Sequence, residues 1–344
     1  MVTINDVARE AGVSKTTVSF ALSGTRPVAA TTQKRILDAM DRLGYTVNHV
    51  ARSLSTSRTM VIAAVTSNRQ GAYFDIARGT YINGLFKAVM NTGYDLLVTD
   101  DPDGTVTDTA CRAHKADGLI FLDVREQDPR IPIADRIGTP AVSLGVPDDP
   151  RSLDVIDTDF TAIAASLVSR LHKARHRRIS VITLSGKVLS EQLNDASRFL
   201  RGVKDSAEKI GMRATIRHCS TQPGVIEADI KRIFDNRNGD TAFIIHNESA
   251  ELVFRRAAEA RGLRIPEDIS VVAINEKQIS EALYLPYSAY ETDVELITQS
   301  AVNTLIDRIE HPEFAPTRTL FKARYVDRGS IATIPEDTID SQPE

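Results

Sequence analysis

From Met60 onward the sequence alternates short apolar runs, many of them β-branched, with amphipathic helical stretches, and this alternation limits the fold more than any other feature. "MVIAAVTS" is followed by a helical pattern through "DIARGTYINGLFKAVMNTG". Then come "YDLLVTD", a helix near "TDTACRAHKA", and the runs "DGLIFLD" and "TPAVSLG". The order repeats in "TDFTAIAASLVSRLHKA", "RRISVITL", "SRFLRGVKDSAEKIG" and "RATIRHC", and again in "IEADIKRIFD", "TAFIIHN", "SAELVFRRAAEARG" and "ISVVAIN". Apolar strands joined through helices pair in parallel, and their unbroken apolar character means that both faces of the sheet are covered. About 270 residues is more than one core comfortably encloses, so two doubly wound parallel-sheet lobes are predicted.

The residues before Met60 follow a helical period only. In "TINDVAREAG", Thr3 is a candidate N-cap with Asp6 three residues later, Ile4, Val7, Ala8 and Ala11 form one stripe, and Gly12 suits a left-handed end. Ser14 caps the next helix, "SKTTVSFALSG", in which Val18, Ala21 and Leu22 point inward and Ser23-Gly24 stops the turn. Thr31 or Thr32 caps a third, with Ile36, Leu37, Met40 and Leu43 inward and Gly44 at its end. Two short helices around a tight turn at Gly12-Val13 predict a helix-turn-helix. Lys15, Thr16, Ser19 and Phe20 lie opposite the apolar stripe, near a helix N-terminus that favours phosphate, and donors of this kind suit the major groove. The chain has 42 Lys and Arg against 46 Asp and Glu, but no acid occurs between Glu10 and Asp38. A basic head on an acidic body points to a polyanion partner; a generic three-helix packing element is the other reading.

Between head and body, "NHVARSLSTSRT" (48–59) reads as a polar tether. Yet Val50 and Leu54 share one face if it is helical, and Asn48 could cap such a turn.

Other classes are excluded by what the motifs lack. Cys111 and Cys219 have no metal-type spacing and read as reduced thiols. The N-terminus has no apolar h-region and no run approaches the ~18 residues of a membrane span, so a cytoplasmic protein with no membrane partner is expected. No dinucleotide loop follows the first strand, no P-loop occurs, and "ITLSGK" is not a nucleophile elbow. His172 and His176 are four apart in "HKARHRR" and read as cations at a helix C-terminus rather than a metal site. Neither an enzyme, a cofactor nor a metal is expected. The tail from 333 to 344 is polar and acidic, and is expected to be disordered.

"TINDVAREAGVSKTTVSFALSG" with "TQKRILDAMDRLGYTVNHVARSL" resembles the lactose-repressor (LacI/GalR) family of bacterial transcription regulators. The resemblance continues through "ARHRRISVI" and "RGLRIPEDISVVAINE" to about Ala332. It implies an all-α helix-turn-helix head (1–47), a hinge helix (48–59) and a periplasmic-binding-protein-like core (60–332). The lobes would comprise 60–157 with 287–318 and 158–286 with 319–332. It further implies a homodimeric repressor on palindromic double-stranded operator DNA, controlled by a small-molecule effector, most often a sugar. By resemblance the base contacts are Lys15, Thr16, Phe20 and Arg26, with Leu54 wedged into the minor groove. Phe20 departs from the Arg or His common there and cannot donate to guanine. Thr3, Ser14, Thr17, Ser19, Thr32, Tyr45 and Asn48 would meet phosphates. The effector positions fall on Tyr73, Phe74, Asp157, Phe199, Thr221, Asn247 and Asn275. Phe199 stands where an arginine clamp is common, and Arg198 is expected to face elsewhere. The alternative is a cytoplasmic small-molecule-binding or enzymatic α/β protein with an incidental helical head, which would not need residues 1–58.

Overall fold

In the head, Gly12 (φ 66°) and Gly44 (φ 61°) take up left-handed backbone that end α1 (Ile4–Ala11) and α3 (Ala30–Leu43), on either side of α2 (Lys15–Ser23). Val7, Ala8, Ala11, Val18, Ile36 and Ala39 form its core, and Leu22, Met40 and Tyr45 pack against it. Two expectations fail here. Helix α3 starts at Ala30 with Ala29 as its uncapped N-cap, so Thr31 and Thr32 lie inside the first turn. Leu37 is exposed, and Ala39 takes the inward position instead, because the stripe continues from Ile36 by three residues. The computed structural model describes residues 2–23, 26–45, 58–67, 76–186, 194–222 and 224–336, and the hinge segment with Asn48 and Leu54 lies outside them.

The body begins with β1 (Val61–Thr66), α4 (Ile76–Val89), β2 (Asp95–Asp100), α5 (Thr105–Arg112), β3 (Gly118–Phe121), α6 (Arg130–Ile137), β4 (Ala141–Leu144) and β5 (Asp154–Thr158). It continues with α7 (Phe160–Lys173), β6 (Arg178–Thr183), α8 (Asn194–Lys209), β7 (Arg213–His218), α9 (Val225–Asp235), β8 (Ala242–Ile245) and α10 (Glu248–Glu259). Then follow β9 (Ser270–Glu276), α11 (Lys277–Leu283), β10 (Ser288–Thr292), α12 (Val294–Glu310), β11 (Arg318–Phe321) and β12 (Arg324–Val326). Two six-stranded sheets result, ordered β11-β5-β4-β3-β1-β2 and β12-β10-β9-β8-β6-β7. All pairs are parallel except β10 with β12, so the second lobe carries one antiparallel edge strand.

Burial follows position in the sheet. The inner strands β3, β4, β5, β8 and β10 are buried along their whole length, whereas the edge strands β2 and β7 alternate between half-buried and exposed. Helices α7 and α8 cover one face of the second sheet, and Phe199, Val203, Leu167 and Leu171 are among the residues that fill the layer. Gly202 permits that approach: a Cβ there would lie 2.9 Å from Ala164 Cβ.

The lobe boundaries differ from the expectation at two places. Residues 288–292 pair with β9 and so belong to the second lobe, which moves the return crossover from 286/287 to the turn after Thr292. Strand β11 pairs with β5 in the first lobe, so the third crossover follows Phe321 rather than residue 318. The tail is not disordered from 333 onward: Ile334 N donates to Ala174 O and Arg175 pairs with Glu336 at 2.6 Å. His176 is not a surface cation. It is 2% exposed between Thr241 Oγ1 (2.8 Å) and Ser270 Oγ (3.0 Å), and burial pushes its pKa down to about 4.

Candidate nucleic-acid interface and effector cleft

The first turn of α2 is built by Ser14. Its Oγ accepts from Thr17 N at 3.0 Å and shares a hydrogen bond with Thr17 Oγ1 at 2.8 Å. With Val18 held in the core, Lys15 and Thr16 stand exposed at the helix start, and Ser19 and Phe20 are half-buried beside them. Arg26 is exposed, and its guanidinium carbon lies 5.2 Å from the Phe20 ring centroid. The aromatic that cannot donate to a base thus carries a cation that can. Arg9 and Arg42 are paired with Asp6 and Glu10, whereas Lys15 and Arg26 have no acid within ion-pair distance among the described residues.

The proposed phosphate contacts are arranged differently from one another. Thr3 N and Oγ1 both donate to Asp6 Oδ2, at 2.9 and 2.7 Å, and these bonds hold the Asp6 carboxyl below its usual range. Thr32 and Tyr45 are half-buried, with Tyr45 against the head core. Asn48 and Leu54 lie outside the described residues.

In the body, a cleft opens where the strand C-termini of both lobes meet. The first lobe contributes Arg78 and Tyr81 from α4, Asp123 after β3, and Asp157 from β5. The second contributes Phe160, Asp195, His246, Ile274, Asn275 and Glu276. Arg78 Nε donates to Asp123 Oδ2 at 2.8 Å. Asp157 is buried; Arg198 donates to its Oδ2 at 2.5 Å and to Thr158 O at 3.1 Å. Burial pushes Asp157 up to about 7, against the opposing pull of Arg198. His246 Nδ1 has no hydrogen-bond partner among the described residues, and burial lowers its pKa while Asp195 pulls the other way.

Of the predicted effector residues, Asp157 and Asn275 line this cleft. Tyr73 and Phe74 lie outside the described residues. Three others do not line it. Phe199 is fully buried in the second lobe's core, with its ring 4.7 Å from that of His246. Asn247 is the N-cap of α10: it accepts from Ala250 N at 3.2 Å and donates to Cys219 O at 3.1 Å. Thr221 is half-buried and stands away from the lining. The arginine expectation also changes, since Arg198 reaches the cleft's Asp157 while its neighbour Phe199 fills the core, one helical step around. Asp123 and His246, which belong to no motif, lie at the end of one strand run ("DGLIFLD") and one residue before the end of another ("TAFIIHN"), where parallel-sheet sites form. Among the described residues, no group of three His, Cys, Asp or Glu could hold a metal ion, and no helix is long and apolar enough to cross a membrane.

Residues 3–48 match the family described as bacterial regulatory proteins, lacI family, and residues 168–331 match the periplasmic binding protein-like domain. The HTH-type transcriptional regulator CelR of Thermobifida fusca is 26% identical over 341 residues, covering 95% of this chain and 98% of that protein. A lac repressor dimer bound to operator and the anti-inducer ONPF has a TM-score of 0.79 at 22% identity, covering 96% of this chain and 99% of that one. A complex of CelR with cellobiose has a TM-score of 0.66 at 23% identity, covering 96% and 100%. The chain thus carries a DNA-binding domain of the lacI family of bacterial regulatory proteins at residues 3–48 and a periplasmic binding protein-like domain at residues 168–331, the make-up of a DNA-binding transcription regulator rather than an enzyme.

Proposed function

We propose that this chain is a cytoplasmic repressor that binds a palindromic operator as a homodimer, with affinity set by a sugar or related metabolite in the interlobe cleft. The observation that carries the reading is the start of α2, where Lys15 and Thr16 stand exposed beside the Phe20–Arg26 stack. Such a helix end presents base-reading donors at the point that enters the major groove first. Leu54 is assigned to the minor groove, where an apolar side chain offsets the unstacking of one base step by bending the duplex onto more protein.

Support for the dimer comes from apolar side chains left exposed on the first lobe. Phe86 and Met90 project from α4 and its end, and Leu97 and Val98 lie on the open edge strand β2. An unpaired strand edge with exposed apolar residues is stable when a second copy covers it. Support for a sugar comes from the relatives, one of which is described with cellobiose.

The test is selection of genomic fragments by the full chain, followed by anisotropy on the recovered duplex against a shuffled one. The proposal expects tight, steeply salt-dependent binding to a palindrome. Equal affinity for the shuffled duplex would end it.

A further inference from the structure

Thr59 and Met60 are the last two residues before β1, and Asp117 directly precedes β3, which pairs with β1 from Ile62 and Gly118 onward. The Asp117 carboxylate accepts three hydrogen bonds from the first pair. Thr59 N and Oγ1 donate to its Oδ1 at 2.6 and 2.8 Å, and Met60 N donates to its Oδ2 at 2.9 Å. All three residues are half-buried. Met60 has a φ of 58°, left-handed backbone that residues with a Cβ rarely adopt. Two successive N–H groups that converge on one anion, the second of them in left-handed backbone, form the kind of main-chain nest that grips a charge. Backbone of this sort persists only where its surroundings hold it. Here the grip falls where the polar tether (48–59) enters the first strand of the body.

We propose that Asp117 is a positioning residue for operator binding: it pins Thr59 and Met60, fixes the point from which the tether starts, and so limits the half-site spacings that the two heads of a dimer can reach. The inference rests on the reading of the chain as a dimeric operator-binding protein.

The size of the effect follows from chain geometry. Released from Asp117, Thr59 and Met60 lengthen the tether by up to about 7 Å, two residues at roughly 3.5 Å each. That matches about two base-pair steps of roughly 3.4 Å. A released chain therefore reaches half-sites moved by one or two base pairs. At the preferred spacing, the longer tether lowers the effective concentration of the second head. A carboxylate that only capped a strand end would change thermal stability and leave the spacing preference as it was.

The test titrates the full chain by anisotropy, at fixed salt, on its selected palindrome and on the same half-sites moved by one or two base pairs in either direction. Wild type is expected to favour the selected spacing at least about tenfold, and Asp117→Ala about threefold or less. Met60→Pro keeps Asp117 but removes the N–H and the left-handed angle, and should lose the preference in the same way. Circular dichroism melts show whether each variant is folded. In chain labelled with 15N-methionine, the Met60 amide is identified by its loss in Met60→Leu. It should exchange with water at least about tenfold more slowly in wild type than in Asp117→Ala. A wild-type spacing preference in folded Asp117→Ala or in Met60→Pro overturns the proposal, as does an equal exchange rate. A wild-type chain that binds no palindrome more tightly than shuffled DNA removes the operator reading itself. A wild-type chain that prefers one spacing, beside variants that share its preference, removes only the role of Asp117.

Discussion

Replacing Arg130 by Met destabilises the first lobe through an arginine that never meets solvent. Arg130 is 0% exposed, and its guanidinium makes four hydrogen bonds. Nε and Nη2 meet the two oxygens of Asp128 at 2.8 and 2.6 Å, and Nη1 and Nη2 meet Val65 O and Leu122 O at 2.8 and 2.9 Å. Those carbonyls lie at the ends of β1 and β3, and Leu122 directly precedes Asp123 of the cleft. Met fills much of the volume but leaves Asp128, whose side chain is also 0% exposed, as a buried carboxylate without its cation. Removing one partner of a buried pair typically costs about 3–5 kcal/mol. Burial alone would raise the Asp128 pKa, but the hydrogen bonds and charge of Arg130 outweigh it and hold the group below its ordinary value. The folded-state pKa is depressed, so this stabilisation is complete above the unfolded carboxylate pKa and is lost as pH falls through the folded one. In Arg130→Met burial is no longer opposed by the guanidinium, so the stranded Asp128 carboxyl titrates above its ordinary value, and the deficit is largest near neutrality and shrinks as pH falls through that raised value toward the depressed wild-type one. Urea unfolding of the full chain, followed by circular dichroism, measures it. Asp128→Asn added to Arg130→Met should recover most of the loss by removing the stranded charge. A single-variant cost below about 1 kcal/mol, or a double variant no more stable than the single, refutes the reasoning.

Leu54→Ala should weaken specific operator binding by about 1–3 kcal/mol and reduce the DNA bend in energy-transfer measurements, while leaving the thermal stability of the free chain unchanged. Phe20→Ala removes the platform under Arg26 and should cost about 0.5–1 kcal/mol in operator affinity by anisotropy, with relaxed preference at one base pair. His176 is held neutral with its pKa depressed to about 4, so it contributes fully above its unfolded pKa, and up to about 3 kcal/mol is lost as pH falls from there through the folded value. His176→Gln should flatten that part of the stability profile in unfolding measurements. Asn275→Ala should abolish the response of operator binding to the effector while leaving operator affinity intact, read by anisotropy with and without the effector.

The layer architecture is legible in the sequence because inner parallel strands such as "DGLIFLD" and "TAFIIHN" must be apolar on both faces. The segments the pattern missed are those where one residue hides the period. In α6, Pro132 reads as a breaker, yet it sits in the first turn, where its missing N–H costs nothing. In β5, "DVIDT", the terminal acids mask a strand whose Asp154 is buried against Arg308. The cleft is less legible. Asp157 and Asn275 follow from the strand ends, but the side of α8 that faces Asp157 is a matter of helix phase, and spacing alone put Phe199 where Arg198 acts. Asn247 shows the reverse error: an Asn before a helix satisfies backbone groups first, and here it caps α10.

In the proposed function, two helix-turn-helix heads read one palindrome together. The direct measurement is the affinity and stoichiometry of the full chain on a selected operator, against the same duplex with one half-site scrambled, at fixed salt. Two chains per intact duplex are expected, with at least about a hundredfold weaker binding when one half-site is lost. One chain per duplex, with equal affinity for both, would contradict it.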